Sequence, residues 1–200
     1  MTVQILPPPA TRPSGLPTHI GKYAVRARLG EGATSEVFLA WDEFNQRNVA
    51  IKRVRGGLAQ DTPEGHFQQH FFAAEAALVG RLHHPNVVQI YDAVDDGEAP
   101  YLVMEHVEGV TLRRFCRADA LLSLEQVVEI GFKCAMALGY VYRQGLIHRD
   151  VKPANIFVCR MGRDADVVKV LDFGLVQQIA RDPSKDLTAT LTTLQGLVGT

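Results

Sequence analysis

From Tyr23 the chain alternates apolar and polar positions in short runs: Tyr23-Ala24-Val25 leading to Leu29, then Glu36 to Trp41, then Asn48 to Lys52. Residues two apart share a strand face, so these runs predict three antiparallel strands joined by turn residues. Val87 to Tyr91 and Tyr101 to Met104 predict two more, with Asp95-Asp96-Gly97-Glu98 as the turn between them. Between the third and fourth strands the period changes. Phe67, Phe71, Leu78, Val79 and Leu82 recur at helical spacing, which predicts a helix from about His66 to Leu82. Glu75 falls on its apolar face, where a carboxylate is costly unless a cation meets it, and Lys52 is the expected partner.

Further on, Thr111 to Ala118 predicts a short helix, and Ser123 with Gln126 forms a capping-box signal for a helix reaching about Gln144. The apolar residues of that helix, among them Val127, Val128, Ile130, Phe132, Met136, Leu138, Val141 and Tyr142, spread around much of its circumference, so it expects neighbours on several sides. Ile156-Phe157-Val158 and Val168 to Leu171 then predict a hairpin with a polar loop at each end. Asp150, Lys152, Asn155 and Asp172 would converge at one edge of it. Two acids, an amide and a cation suit phosphoryl transfer: oxygen ligands for Mg²⁺, a carboxylate to receive a hydroxyl proton, and a positive charge beside the moving phosphate.

The first connection, Gly30-Glu31-Gly32-Ala33-Thr34-Ser35, is weak as a motif by itself. A Rossmann turn would lead into a helix, and a Walker loop would carry Gly-Lys-Ser/Thr; here a period-2 strand follows. A glycine-rich hairpin lying over phosphates fits better, its backbone N–H groups open to oxygen. On the strand after it, Ala50 and Lys52 share a face, a small residue and a cation side by side.

His148-Arg149-Asp150 through Asn155, followed by Asp172-Phe173-Gly174, resembles the catalytic loop and metal-binding motif of protein kinases. Lys152-Pro153 is similar to the serine/threonine branch, and Val49-Ala50-Ile51-Lys52 to the strand-three motif. The resemblance covers residues 20–200 and implies an α+β fold: an antiparallel five-stranded N-lobe with helix C, then a truncated, mainly helical C-lobe. It divides the chain into a proline-rich leader (1–19), the N-lobe (20–104), a hinge (105–109) and a partial C-lobe (110–200).

By the same resemblance Lys52, fixed by Glu75, holds the ATP α- and β-phosphates; Asn155 and Asp172 hold Mg²⁺; Asp150 receives the hydroxyl proton; Lys152 stabilises charge on the transferred group. Leu29, Gly30, Glu31, Gly32, Val37, Ala50, Met104, Glu105, Val107 and Phe157 would complete the nucleotide site. Ser35 stands where a third loop glycine is usual, and Phe157 is bulkier than the leucine common beneath the adenine. Arg149 resembles the arginine of kinases switched by activation-loop phosphorylation, with Thr188, Thr190, Thr192 and Thr193 as candidate autophosphorylation sites. The implied partner is a protein with a Ser or Thr acceptor. In the family, Gly199-Thr200 would lead into an Ala-Pro-Glu motif and a helical subdomain, so the chain reads as a fragment of a larger kinase.

Composition narrows the alternatives. At 46% hydrophobic and 22% charged the chain can bury a sizeable core, and a net charge of −1 gives no reason to expect nucleic acid. Cys116, Cys134 and Cys159 have neither zinc nor disulfide-framework spacing. No apolar run is long enough to span a bilayer, which with the cysteines suggests a cytoplasmic chain. Pro7, Pro8, Pro9, Pro13 and Pro17 mark Met1 to His19 as a disordered leader. Competing readings are a nucleotide-binding scaffold or inactive kinase fragment, a small-molecule phosphotransferase of the aminoglycoside-kinase type, and an interaction module built on the leader.

Overall fold

Six antiparallel strands form one sheet in the order β1-β2-β3-β4-β6-β5 in the computed structural model, which describes residues 15–32, 35–55, 69, 72–95, 99–160, 166–170 and 177–178. The strands are β1 (His19–Ile20), β2 (Tyr23–Glu31), β3 (Ser35–Asp42), β4 (Arg47–Val54), β5 (Ile90–Val94) and β6 (Tyr101–Glu105). The period-2 pattern sorts their side chains onto two faces. Phe38, Val49, Ile51, Tyr101 and Val103 pack with Ile20, Tyr23 and Val25 into an outer core. Ala50, Lys52, Leu102 and Met104 face the other way, into a cleft.

The expected five strands are therefore joined by a sixth, the two-residue β1. It lies at the end of the expected leader: Val25 N–H donates to Thr18 O at 3.0 Å, and Leu16 packs on the outer core. The leader boundary at His19 is thus too late, because one apolar side chain and one ladder bond order the chain from Leu16. Met1 to Ser14 lies outside the described residues.

The fourth strand is displaced. Asn86 to Val88 do not extend β5; they bond instead to β10 (Asp166–Val170), through Val88 N–H to Val170 O at 3.0 Å and Val170 N–H to Asn86 O at 2.9 Å, whereas Gln89 O accepts Glu105 N–H of β6 at 2.9 Å. The Asn86 amide adds a bond to Val168 O at 2.8 Å. Before it, the helical segment α1 is described over residues 72–76 and then tightens, since Leu78, Val79 and Arg81 N–H groups reach back three residues rather than four. Gly80, with φ +67°, closes the turn, so the helix stops short of the expected Leu82.

The second half begins with β7 (Val110–Thr111) and a single 3-10 turn, Leu112–Phe115, in place of the helix expected to Ala118. The long helix α2 spans Leu124–Arg143, and its start is the expected capping box: Ser123 Oγ accepts from Gln126 N–H, and the Gln126 side chain accepts from Ser123 N–H. It buries Ile130, Cys134, Ala137 and Val141, one stripe at helical spacing, in a core shared with Leu146, Val168 and Val170. After β8 (Leu146–Ile147), β9 (Ile156–Arg160) and β10 form the expected hairpin, and β7 completes a three-stranded sheet in the order β10-β9-β7. Gly109 is what lets β7 approach: a Cβ there would sit 2.5 Å from Val158 O. A final two-residue strand, β11 (Gln177–Gln178), pairs with β8.

Candidate active site

The cleft lies between the inner face of the six-stranded sheet and the start of β9, with a volume of about 550 Å³. All twelve residues expected at the nucleotide site, from Leu29 to Phe157, line it. They come from five places: the β2–β3 turn, β4, α1, the β6 end and β9. Ser35, the residue standing in place of a third loop glycine, lines it too, as do Val88, Ile90, Leu102, His106 and Ala154, which were not singled out from sequence, though Ile90 and Leu102 follow from the strand alternation that found Ala50 and Met104. Gly30 has nothing of its own chain within 4 Å of where a Cβ would stand, so that space is left open above the cleft.

Two polar constellations lie here: Lys52, Glu75 and Asn155 line the cleft, whereas Asp150 and Lys152 are not among its lining residues and join it through Asn155. On one side Lys52 Nζ meets both oxygens of Glu75, at 2.9 and 3.0 Å. Glu75 is only 5% exposed, so the partner demanded by its place on the apolar face of α1 is the one the fold supplies. On the other side Asp150 is held three ways. Its backbone N–H donates to Nδ1 of the buried His148 at 3.2 Å, Lys152 Nζ lies 2.7 Å from its Oδ2, and the Asn155 amide donates to its Oδ2 at 2.8 Å and its backbone O at 3.0 Å. Arg149 between them takes φ +64°, a left-handed conformation rare for a non-glycine residue, which turns the chain between His148 and Asp150. The 3-10 turn Pro153–Asn155 then brings Asn155 back, with Asn155 N–H donating to Lys152 O at 2.9 Å.

Asn155 therefore commits its amide NH₂ to Asp150, and its side-chain carbonyl oxygen is left to accept or to ligate. A hard oxygen of this kind suits Mg²⁺, which favours a few protein oxygens completed by phosphate and water. Among the described residues no cluster of three or more His, Cys, Asp or Glu forms a metal cage of its own. Asp172, the other expected ligand, lies outside the described residues, as do Phe173, Gly174, Ala33, Thr34 and the threonines at 188, 190, 192 and 193.

Over the glycine-rich turn, Glu31 pairs with Arg28 and Arg55, while Glu36 pairs with Arg28 and Arg53. The Arg55 hydrogen bond first, then its charge, holds the Glu31 carboxyl below its ordinary value. These pairs tie β2, β3 and β4 together beside the turn. The Glu31 pairs are exposed and steer the turn's position more than they stabilise the fold, whereas the Glu36 carboxylate is largely shielded.

A curled antiparallel sheet over a hairpin, with a lysine–glutamate pair and the asparagine of an Asp-Lys-Asn loop lining one cleft, defines a class of phosphotransferase. The family model described as "Protein kinase domain" matches residues 23–196, and the chain belongs to that family. Among curated proteins it is similar to a probable serine/threonine-protein kinase PknB of Bifidobacterium longum, 36% identical over 94% of this chain and 27% of that protein. The serine/threonine-protein kinase PknB of Mycobacterium leprae is 38% identical, over 88% of this chain and 28% of its own length. A probable serine/threonine-protein kinase of Streptomyces coelicolor is 36% identical over 90% of this chain and 25% of its own. The chain thus spans about a quarter of the length of these relatives.

Proposed function

We propose that the intact protein transfers the γ-phosphoryl group of MgATP to serine or threonine hydroxyls of protein substrates. The observation that carries this reading is one cleft lined by the Lys52–Glu75 pair and by Asn155, whose amide holds Asp150 with Lys152 beside it. ATP enters with its base against Ala50, Met104 and Phe157 and its phosphates toward Lys52. Asn155 and Asp172 would hold Mg²⁺, which would supply positive charge to the phosphate oxygens. Asp150, kept in place by His148 and Asn155, orients the acceptor hydroxyl and takes its proton. Lys152 lies against Asp150 and meets the charge that develops on the transferred group.

The acceptors include this chain's own Thr188, Thr190, Thr192 or Thr193, with Arg149 reading the phosphate. The cysteines Cys116, Cys134 and Cys159 are free thiols, and no helix among the described residues is long and apolar enough to cross a membrane. Both fit catalysis on the cytoplasmic side, where ATP is at hand.

The test is Lys52→Met in the intact protein. Loss of one preorganised cation at the phosphates should lower transfer by about 10²-fold or more, with the far-UV spectrum unchanged. Wild-type turnover would contradict the reading, and nucleotide binding without any transfer by the unmutated protein would favour the scaffold alternative.

A further inference from the structure

β10 carries a cation in an otherwise apolar run: Val168 and Val170 are buried at 0% and 1% exposure, and Lys169 between them faces the opposite way. Its antiparallel partner on β9 is Phe157, which lines the cleft. Lys169 Nζ lies 2.8 Å from each oxygen of the Glu105 carboxylate, at the end of β6. Glu105 Oε2 also accepts the Gln89 N–H at 3.3 Å, and Glu105 N–H donates to Gln89 O at 2.9 Å. The side chains are 14% and 26% exposed, so the pair is partly shielded from salt.

Glu105 lines the cleft, yet its carboxylate is committed to groups behind it. It is a tether rather than a ligand. The tether joins the six-stranded sheet to the three-stranded one at the point where the chain passes from one to the other through residues 105–109. Sheet-to-sheet cohesion does not depend on it, because Asn86 and Val88 already bond β10 on their own.

We propose that Lys169 is a positioning residue for the nucleotide: by gripping Glu105 it fixes the 105–107 edge of the cleft against the hairpin that bears Phe157 and leads, three residues on, to Asp172. The proposal rests on the kinase reading above and adds a determinant of ATP affinity outside the cleft wall. Without the grip, Glu105 to Val107 lose their registry with Phe157 across the base-binding end, while Asp150, Lys152 and Asn155 keep theirs.

The experiment measures ATP KM, kcat and thermal melting for Lys169→Met in the intact protein. A loss worth about one hydrogen bond should raise the ATP KM about tenfold with kcat held within about twofold. The charge swap Lys169→Glu with Glu105→Lys should recover most of the affinity. An unshifted ATP KM with only a lowered melting temperature, a fall in kcat at constant KM, or a swap no better than the single changes would overturn the proposal. If Lys169→Met does not fold, Lys169→Gln and Glu105→Gln report the same quantity by titration with a non-hydrolysable ATP analogue. Unmutated protein whose transfer does not saturate with ATP would overturn the kinase reading itself, a failure distinct from that of an active enzyme indifferent to Lys169.

Discussion

Asn155 shows how much a single side chain settles. Buried to 7% exposure, it commits its NH₂ to Asp150 and has one oxygen left. Asn155→Ala should therefore do two things: raise the Mg²⁺ concentration needed for half-maximal transfer, and lower the limiting rate by about 10²-fold as Asp150 loses its guide. A magnesium titration of the variant's activity checks both, and an unchanged magnesium requirement would remove Asn155 from the metal. The Lys52–Glu75 pair was legible in the sequence because a helical period put a carboxylate on an apolar face, a conflict with one nearby solution. Lys169 was not legible, since Val-Lys-Val reads as an ordinary strand with its lysine in water and its partner is 64 positions away. Local pattern reports which face a residue takes, not what the fold later brings against that face.

Among the elements, the strands and α2 followed their periodicity closely, and the capping box at Ser123 was readable to the residue. Ser123→Ala should cost about 1 kcal/mol, seen as a lower denaturation midpoint at unchanged slope. Where the reading slipped, tertiary bonds had replaced local ones: Asn86 and Val88 bond β10 instead of extending β5, and α1 gives way to a turn that ends at Gly80. The segment beyond that turn holds His84, whose ring stacks on Tyr140 at 5.1 Å and accepts the Asn86 N–H on Nδ1 at 3.1 Å. Burial first, then the charges of Arg143 and Lys169, press its pKa below the ordinary 6.5. The unfolded chain then takes up a proton near 6.5 before the folded chain does. Stability is intact above that pH and falls as pH drops toward the folded value. Melting temperature should decline from pH 7 to about 5.5, and His84→Gln should flatten the decline; equal slopes would rule His84 out as the sensor. Gly109→Ala should push β7 off Val158 O and lower stability, with a normal melt for the variant as the contrary result.

At the scale of the whole molecule the two cores explain the cleft: one behind the six-stranded sheet, the other running from α1 through the hairpin to α2, with the polar groups left between sheet and hairpin. The face of α2 away from that core carries Leu124, Val127, Val128, Phe132 and Met136 exposed, as its all-round apolar pattern anticipated. Residues 1–200 expressed alone should bind an apolar dye, and Val128→Lys with Phe132→Glu should reduce that binding without loss of helix; no dye binding by the unmutated segment would contradict an open face. The overall α+β arrangement was readable because each strand and helix declared its own period, whereas the pairing order, with β6 rather than β5 beside β4, is set by tertiary contacts that no local pattern declares. The proposed function rests on Asp150 acting on an acceptor hydroxyl beside bound ATP. The most direct measurement is transfer of label from γ-labelled ATP to protein serine or threonine by the intact protein, compared with its Asp150→Asn variant. The account predicts a fall of at least about 10²-fold in kcat with ATP-analogue affinity unchanged, and transfer by Asp150→Asn at the wild-type rate would contradict it.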